Sequence, residues 1–109
     1  MARSDVAAVC RATGLPFAYR VFPDGYGEIP YPHLRYQRSG ADYLHADDRA
    51  YAKADEWSIL LVSETKDDAA EAAVEAAMDT AGIAYSAPYE DYIDEERLWQ
   101  VTWDFALPR

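Results

Sequence analysis

Asp67-Asp68-Ala69-Ala70-Glu71-Ala72-Ala73-Val74-Glu75-Ala76-Ala77-Met78-Asp79-Thr80-Ala81-Gly82 and Leu98-Trp99-Gln100-Val101-Thr102-Trp103-Asp104-Phe105 are the two stretches whose reading decides the fold. The first is rich in alanine and acid and stops at a glycine, as a helix does when its last turn hands over to a left-handed residue. The second alternates strictly: Trp99, Val101, Trp103 and Phe105 point one way, and Leu98, Gln100, Thr102 and Asp104 the other. Period-two alternation marks a strand with one buried face. Burying two indoles and a phenyl ring supplies several kcal/mol, so these aromatics are core. Between the two stretches, Ile83-Ala84-Tyr85 reads as a short strand and Tyr89 to Arg97 as an acidic turn.

Working outward, Glu56 to Ser63 is a buried strand, apolar on both faces through its middle. Near the start, Ser4 is the expected N-cap of a helix over residues 5–13, with Gly14 as its stop and Val6, Val9, Cys10 and Thr13 toward the sheet. Phe17 to Phe22 reads as the first strand, and Pro23-Asp24-Gly25-Tyr26-Gly27 is turn chemistry. Pro30 and Pro32 precede a strand over about 33–38 and suggest an edge position or a late start. Tyr43-Leu44-His45 and Arg49-Ala50-Tyr51 flank Ala46-Asp47-Asp48, a hairpin arm over about 41–53 with an acidic tip. The expectation is one α+β domain over 1–109: an antiparallel or mixed sheet of about four to five strands, two helices packed on it, and the arm.

The chain of 109 residues has a formal charge of −10, unevenly spread. Residues 55–109 carry three Lys/Arg against fourteen Asp/Glu, whereas residues 1–54 carry seven against six. With no cationic patch to release counterions, sequence-specific nucleic-acid binding is not expected. No apolar run approaches the length needed to span a bilayer, and the first residues lack the apolar core of a signal peptide, so work in the cytoplasm is expected. The single cysteine, Cys10, excludes an internal disulfide framework and reads as packing.

No spacing points to chemistry. His33 and His45 lie in different elements and outside any metal-ligand pattern. Gly25-Tyr26-Gly27 lacks the third glycine and helix of a dinucleotide fingerprint, and Ser58, Ser63 and Ser86 lack a nucleophile-elbow context. The carboxylates from Glu90 to Glu96 lack a cleft that would drive two pKa values apart. No catalytic residue, metal or cofactor is expected. The feature that remains is the helix stripe Asp67, Glu71, Glu75 and Asp79, at successive i+4 positions. Like charges so spaced repel by a few tenths of a kcal/mol per pair, so helix propensity does not select them. They read either as solvated surface or as a face toward a basic partner or an anionic lumen.

Across nearly its whole length the chain resembles a family of small proteins from the head-to-tail region of tailed phages and prophages. The resemblance is carried by Thr13-Gly14-Leu15-Pro16-Phe17-Ala18-Tyr19, Ile29-Pro30-Tyr31-Pro32-His33-Leu34-Arg35-Tyr36, Ala46-Asp47-Asp48-Arg49-Ala50-Tyr51, and Leu60 to Asp68. It closes on Ala81-Gly82-Ile83-Ala84-Tyr85 and Tyr92 to Val101. It implies a tail-terminator or tail-completion-like protein of the virion neck, built in the host cytoplasm. Such a protein forms a ring of its own copies, hexameric as the expectation, which caps the tail tube and joins it to the head connector. On that reading Tyr43, Leu44, His45, Asp47, Asp48 and Tyr51 of the arm meet a neighbour, and Asp67, Glu71, Glu75 and Asp79 face the lumen or a basic partner. Lysine at positions 71 and 75 is expected to alter assembly. The rival readings are an acidic DNA mimic or inhibitor, and a small enzyme.

Overall fold

In a computed structural model, the backbone is described for residues 3–46 and 49–108 and the side chains for 4–39 and 54–108. The elements in chain order are α1 (Arg3–Ala12), β1 (Phe17–Tyr19), β2 (His33–Ala46), β3 (Arg49–Ser63), α2 (Asp68–Thr80), β4 (Tyr89–Ile93) and β5 (Leu98–Pro108). The strands form one sheet in the order β1-β2-β3-β5-β4. Only β1–β2 is parallel; the other three pairs are antiparallel. The result is a mixed α+β sheet with two helices.

Alternation along three central strands builds the core. Leu34 and Tyr36 of β2, Trp57, Ile59 and Leu61 of β3, and Val101, Trp103, Phe105 and Leu107 of β5 join one buried cluster. Val6, Val9 and Cys10 of α1 and Ala70, Val74 and Met78 of α2 close it. The small side chains of α2 bring its backbone near the sheet, where only Val74 and Met78 need deep space. Burial pushes the Cys10 thiol up to about 12, so it stays neutral and packs like a small apolar side chain.

The ends of α2 follow local rules closely. Asp67 is the N-cap, its carboxylate accepting from the Ala70 N–H at 3.0 Å. At the other end Gly82 takes φ +74°, and the Ile83 N–H reaches the Met78 carbonyl while the Gly82 N–H reaches that of Asp79. This paired closure satisfies two carbonyls and drops Ile83 into the core beside Met78.

Several boundaries differ from the sequence expectation. α1 begins at Arg3, so Ser4 lies inside the helix and not at its cap. Thr13 follows the helix: its hydroxyl donates to the Cys10 carbonyl at 2.6 Å and accepts from the Leu15 N–H at 3.1 Å. β1 has three residues and not six, because Arg20 adopts φ +65° and turns the chain away. β2 does start late, just after Pro32, but it lies between β1 and β3 and not at an edge. The arm is no separate element: β2 and β3 stay paired from His33↔Val62 to Ala46↔Arg49, with irregularities at Arg38/Gly40 and Leu44/His45. Past Ala54↔Pro108 and Tyr36↔Tyr19 no third strand among the described residues accompanies them, so residues 40–46 and 49–53 form a two-stranded ribbon. Finally, the short strand at 83–85 is a single bridge, Tyr85↔Phe105, and most of the expected acidic turn is the edge strand β4.

The face away from the helices is partly covered by the loop between β1 and β2. Phe22 and Tyr31 lie 4.8 and 5.0 Å from the fully buried His33 ring. Arg35 Nε lies 3.2 Å from His33 Nε2, and His33 Nδ1 lies 2.7 Å from the Pro30 carbonyl. Because a guanidinium only donates, Nε2 must accept and Nδ1–H must donate, which fixes the neutral tautomer. Burial, and then the Arg35 charge, hold the His33 pKa below its ordinary value, while the Pro30 bond opposes them. A depressed folded-state pKa gives stability that is full above the unfolded value and is lost as pH falls. Denaturation midpoints should therefore drop as pH falls below about 6.5, and His33→Asn should remove part of that slope. An unchanged slope would mean that the ring titrates freely.

Candidate functional site

The acidic stripe of α2 is tied into the fold at each member. Beyond the Asp67 cap, Glu71 pairs with Lys66, which also lies 3.3 Å from Asp68 and 3.7 Å from Glu90 of β4. The Glu71 hydrogen bond leads in pushing the Lys66 pKa up to about 12, so the ammonium persists through any ordinary pH. Glu75 accepts from the Trp103 indole N–H at 2.9 Å, one turn along. Asp79 acts on the Tyr85 phenol, whose pKa is raised by desolvation first and then by the negative charges of Glu75 and Asp79. The stripe thus holds α2 to the segment behind it and to β5. Asp79 is exposed, whereas Asp67, Glu71 and Glu75 are half-buried.

The arm residues are placed by backbone alone. Tyr43 stands opposite Lys53, Leu44 opposite Ala52 and His45 opposite Ala50. The side chains of Tyr43, Leu44, His45 and Tyr51, and Asp47 and Asp48 altogether, lie outside the described residues. A two-stranded ribbon is marginal by itself in water, so this one gains from any surface laid against it.

Two surfaces lie at sheet edges that the sequence reading did not place, although it noted the carboxylates of the first as an acidic turn. One is the β4 edge, the last strand of the sheet, where Tyr89 and Tyr92 are about half exposed and Glu90, Asp91, Asp94, Glu95 and Glu96 are all at the surface. Tyr92 leans on Trp99 with ring centres 5.0 Å apart. The Tyr89 phenol is raised mainly by desolvation and then by its charged hydrogen-bond partner Asp104. The other is the β1 edge, where Arg11 lies 5.6 Å over the Phe17 ring and Arg20 6.0 Å over the Tyr19 ring. Neither arginine forms an ion pair among the described residues. The near-neutral count of the N-terminal half hid them, since nothing in sequence shows that both arginines reach one sheet edge.

Concavities also mark the surface, among them one of about 620 Å³ lined by Gly27 to Tyr31 and Glu64. A groove of about 560 Å³ between α1 and α2 is walled by alanines with Val9 and Ile83 at its floor. On the opposite face a polar hollow of about 530 Å³ lies over Ser58, whose hydroxyl donates to Asp104 at 2.6 Å. Among the described residues no three His, Cys, Asp or Glu side chains are grouped to hold a metal ion, and no helix is long and apolar enough to cross a membrane. What these surfaces are chemically equipped to do is bind: flat edges, exposed aromatics and fixed charges of both signs.

No protein-family model matches the chain, and no curated protein matches it in sequence. Among solved structures the fold matches a chain of the virion of a native gene transfer agent particle, with a TM-score of 0.60 at 11% identity. The match covers 94% of this chain and 84% of that one. At that identity the likeness is one of fold.

Proposed function

We infer that the chain is a structural, non-enzymatic subunit of a phage-like particle, acting in the neck as a tail-terminator or tail-completion-like protein. The observation that carries this reading is the near-full-length fold match to a chain of a gene transfer agent virion. The shape of the molecule supports it. A rigid five-stranded sheet bears a projecting ribbon, which suits a subunit that grips a neighbour while its body stays fixed. In this reading copies of the chain close into a ring, hexameric as the expectation, that caps the tail tube and meets the head connector. The ribbon of residues 40–46 and 49–53 reaches the adjacent subunit. The acid of the C-terminal half lets DNA pass without adhering.

The test is light scattering over a concentration series, alone and with a candidate tail-tube protein, followed by negative-stain imaging. Rings, or caps on tube ends, are the expected result. A chain that ignores the tube and stays out of particles would overturn the reading and bring forward the acidic inhibitor alternative, in which the β4 carboxylates imitate a phosphate backbone.

A further inference from the structure

We propose that copies of this chain associate head to tail through opposite edges of the sheet, the acidic β4 edge of one against the arginine-bearing β1 edge of the next. This deepens the ring reading above, on which it rests, by naming the two surfaces. β1 and β4 are the first and last strands of the five, about 19 Å apart at the usual strand spacing. Each leaves its outer side free of any strand among the described residues.

The two edges differ in sign. Asp91, Asp94, Glu95 and Glu96 are exposed and form no ion pair among the described residues, and Glu90 has only a distant Lys66 at 3.7 Å. Arg11 and Arg20 are likewise exposed and without a carboxylate. Each rests over an aromatic ring of β1, which limits its rotamers before any partner arrives. Guanidinium forks suit carboxylates, and a pre-set fork loses little entropy on pairing.

The contact is made by side chains and not by adding a long strand. β1 spans three residues and is ended by the left-handed Arg20, so its edge gives no template for a longer ladder. The carboxylates of β4 discourage strand pairing with another copy of the same edge, because like charges would then face each other. An isologous β4–β4 dimer is thereby disfavoured and a heterologous contact favoured. Such contacts leave one free edge at each end and grow until rotation closes them. The strand-to-strand twist of about 20–25° turns one edge well away from the other, so successive copies cannot stack in a flat line.

The experiment uses the full chain and two charge-reversed forms, Arg11→Glu/Arg20→Glu and Asp91→Lys/Glu95→Lys, in sedimentation equilibrium at low salt. All four positions are exposed, and circular dichroism checks that each form is folded. Should either lysine or glutamate form unfold, Arg11→Gln/Arg20→Gln and Asp91→Asn/Glu95→Gln take their place. Each reversed form should associate about two- to thirtyfold more weakly than the parent, the range expected for losing two exposed ion pairs. Mixed in equal amounts the two reversed forms should associate again, since each then offers the other a complementary edge. The parent's association should weaken at about 0.5 M salt, where screening acts within a few ångströms.

Variants that associate like the parent, a mixture that fails to recover, or a parent monomeric at low salt would each overturn the edge contact. A monomeric parent that still enters particles would leave the neck reading standing. Edge-dependent association in a chain that never caps a tube would support the contact and remove the neck reading.

Discussion

Trp103→Ala should cost the fold about 3–5 kcal/mol in urea denaturation, the range for deleting a buried indole. A domain of this size holds only about 5–15 kcal/mol in total, so the loss is a large fraction of the whole. Three observations set the size. Trp103 is fully buried, it sits on β5 directly opposite Ile59 of β3, and its ring is part of the cluster that receives both helices. Removing it opens a void at the junction of sheet and α2, and the close-packed neighbours relax into it only in part. The indole N–H also serves Glu75, so alanine leaves a half-buried carboxylate without its donor. Trp103→Phe separates the two effects by keeping most of the volume while losing the bond, and it should fall between parent and alanine. A Trp103→Ala form within about 1 kcal/mol of the parent would show that the core is not centred here.

Some of this was legible in the sequence for identifiable reasons. The alternation of β5 holds from Val101 to Leu107, and period two admits few other readings. Trp99, expected in the core, is instead half-buried against Tyr92, and Leu98 and Thr102 are buried on the opposite face. The limits of α2 were marked by Asp67 and Gly82, whose side chain and missing side chain act locally. Where non-local forces decide, the reading failed. Nothing in its residue type says that Arg20 takes φ +65° and cuts β1 short, since arginine rarely adopts that conformation. Tyr89-Glu90-Asp91-Tyr92-Ile93 carries the charges of a turn and is a strand because β5 pairs with it along its whole length. The arginine edge depends on a parallel β1–β2 pairing that brings the end of α1 and the residue after β1 to one side. The stripe on α2 was visible as spacing, but its partners were not: Trp103 lies 28 residues from Glu75.

That last point changes what lysine substitutions in the stripe mean. Glu75→Lys should destabilise the chain by about 1.5–3 kcal/mol, the range for a hydrogen bond to a charged group. It removes the acceptor from a buried indole N–H and sets an ammonium, which can only donate, against another donor. Glu71→Lys breaks a pair with a solvent-facing lysine and should move the denaturation midpoint far less. A double Glu71→Lys/Glu75→Lys form that fails to assemble would therefore report a damaged fold before it reported a damaged interface. Glu75→Gln supplies the control, because its amide oxygen still accepts from Trp103 and the negative charge is gone. If Glu75→Gln is nearly as stable as the parent and assembles normally, the charge at this position serves the fold through its oxygen and has no part in contact with a lumen or a basic neighbour. If it is stable and fails to assemble, the stripe is a working surface as well as a fastening. A Glu75→Lys form as stable as the parent would mean that the indole N–H finds another acceptor, and the stripe could then be probed by lysine directly.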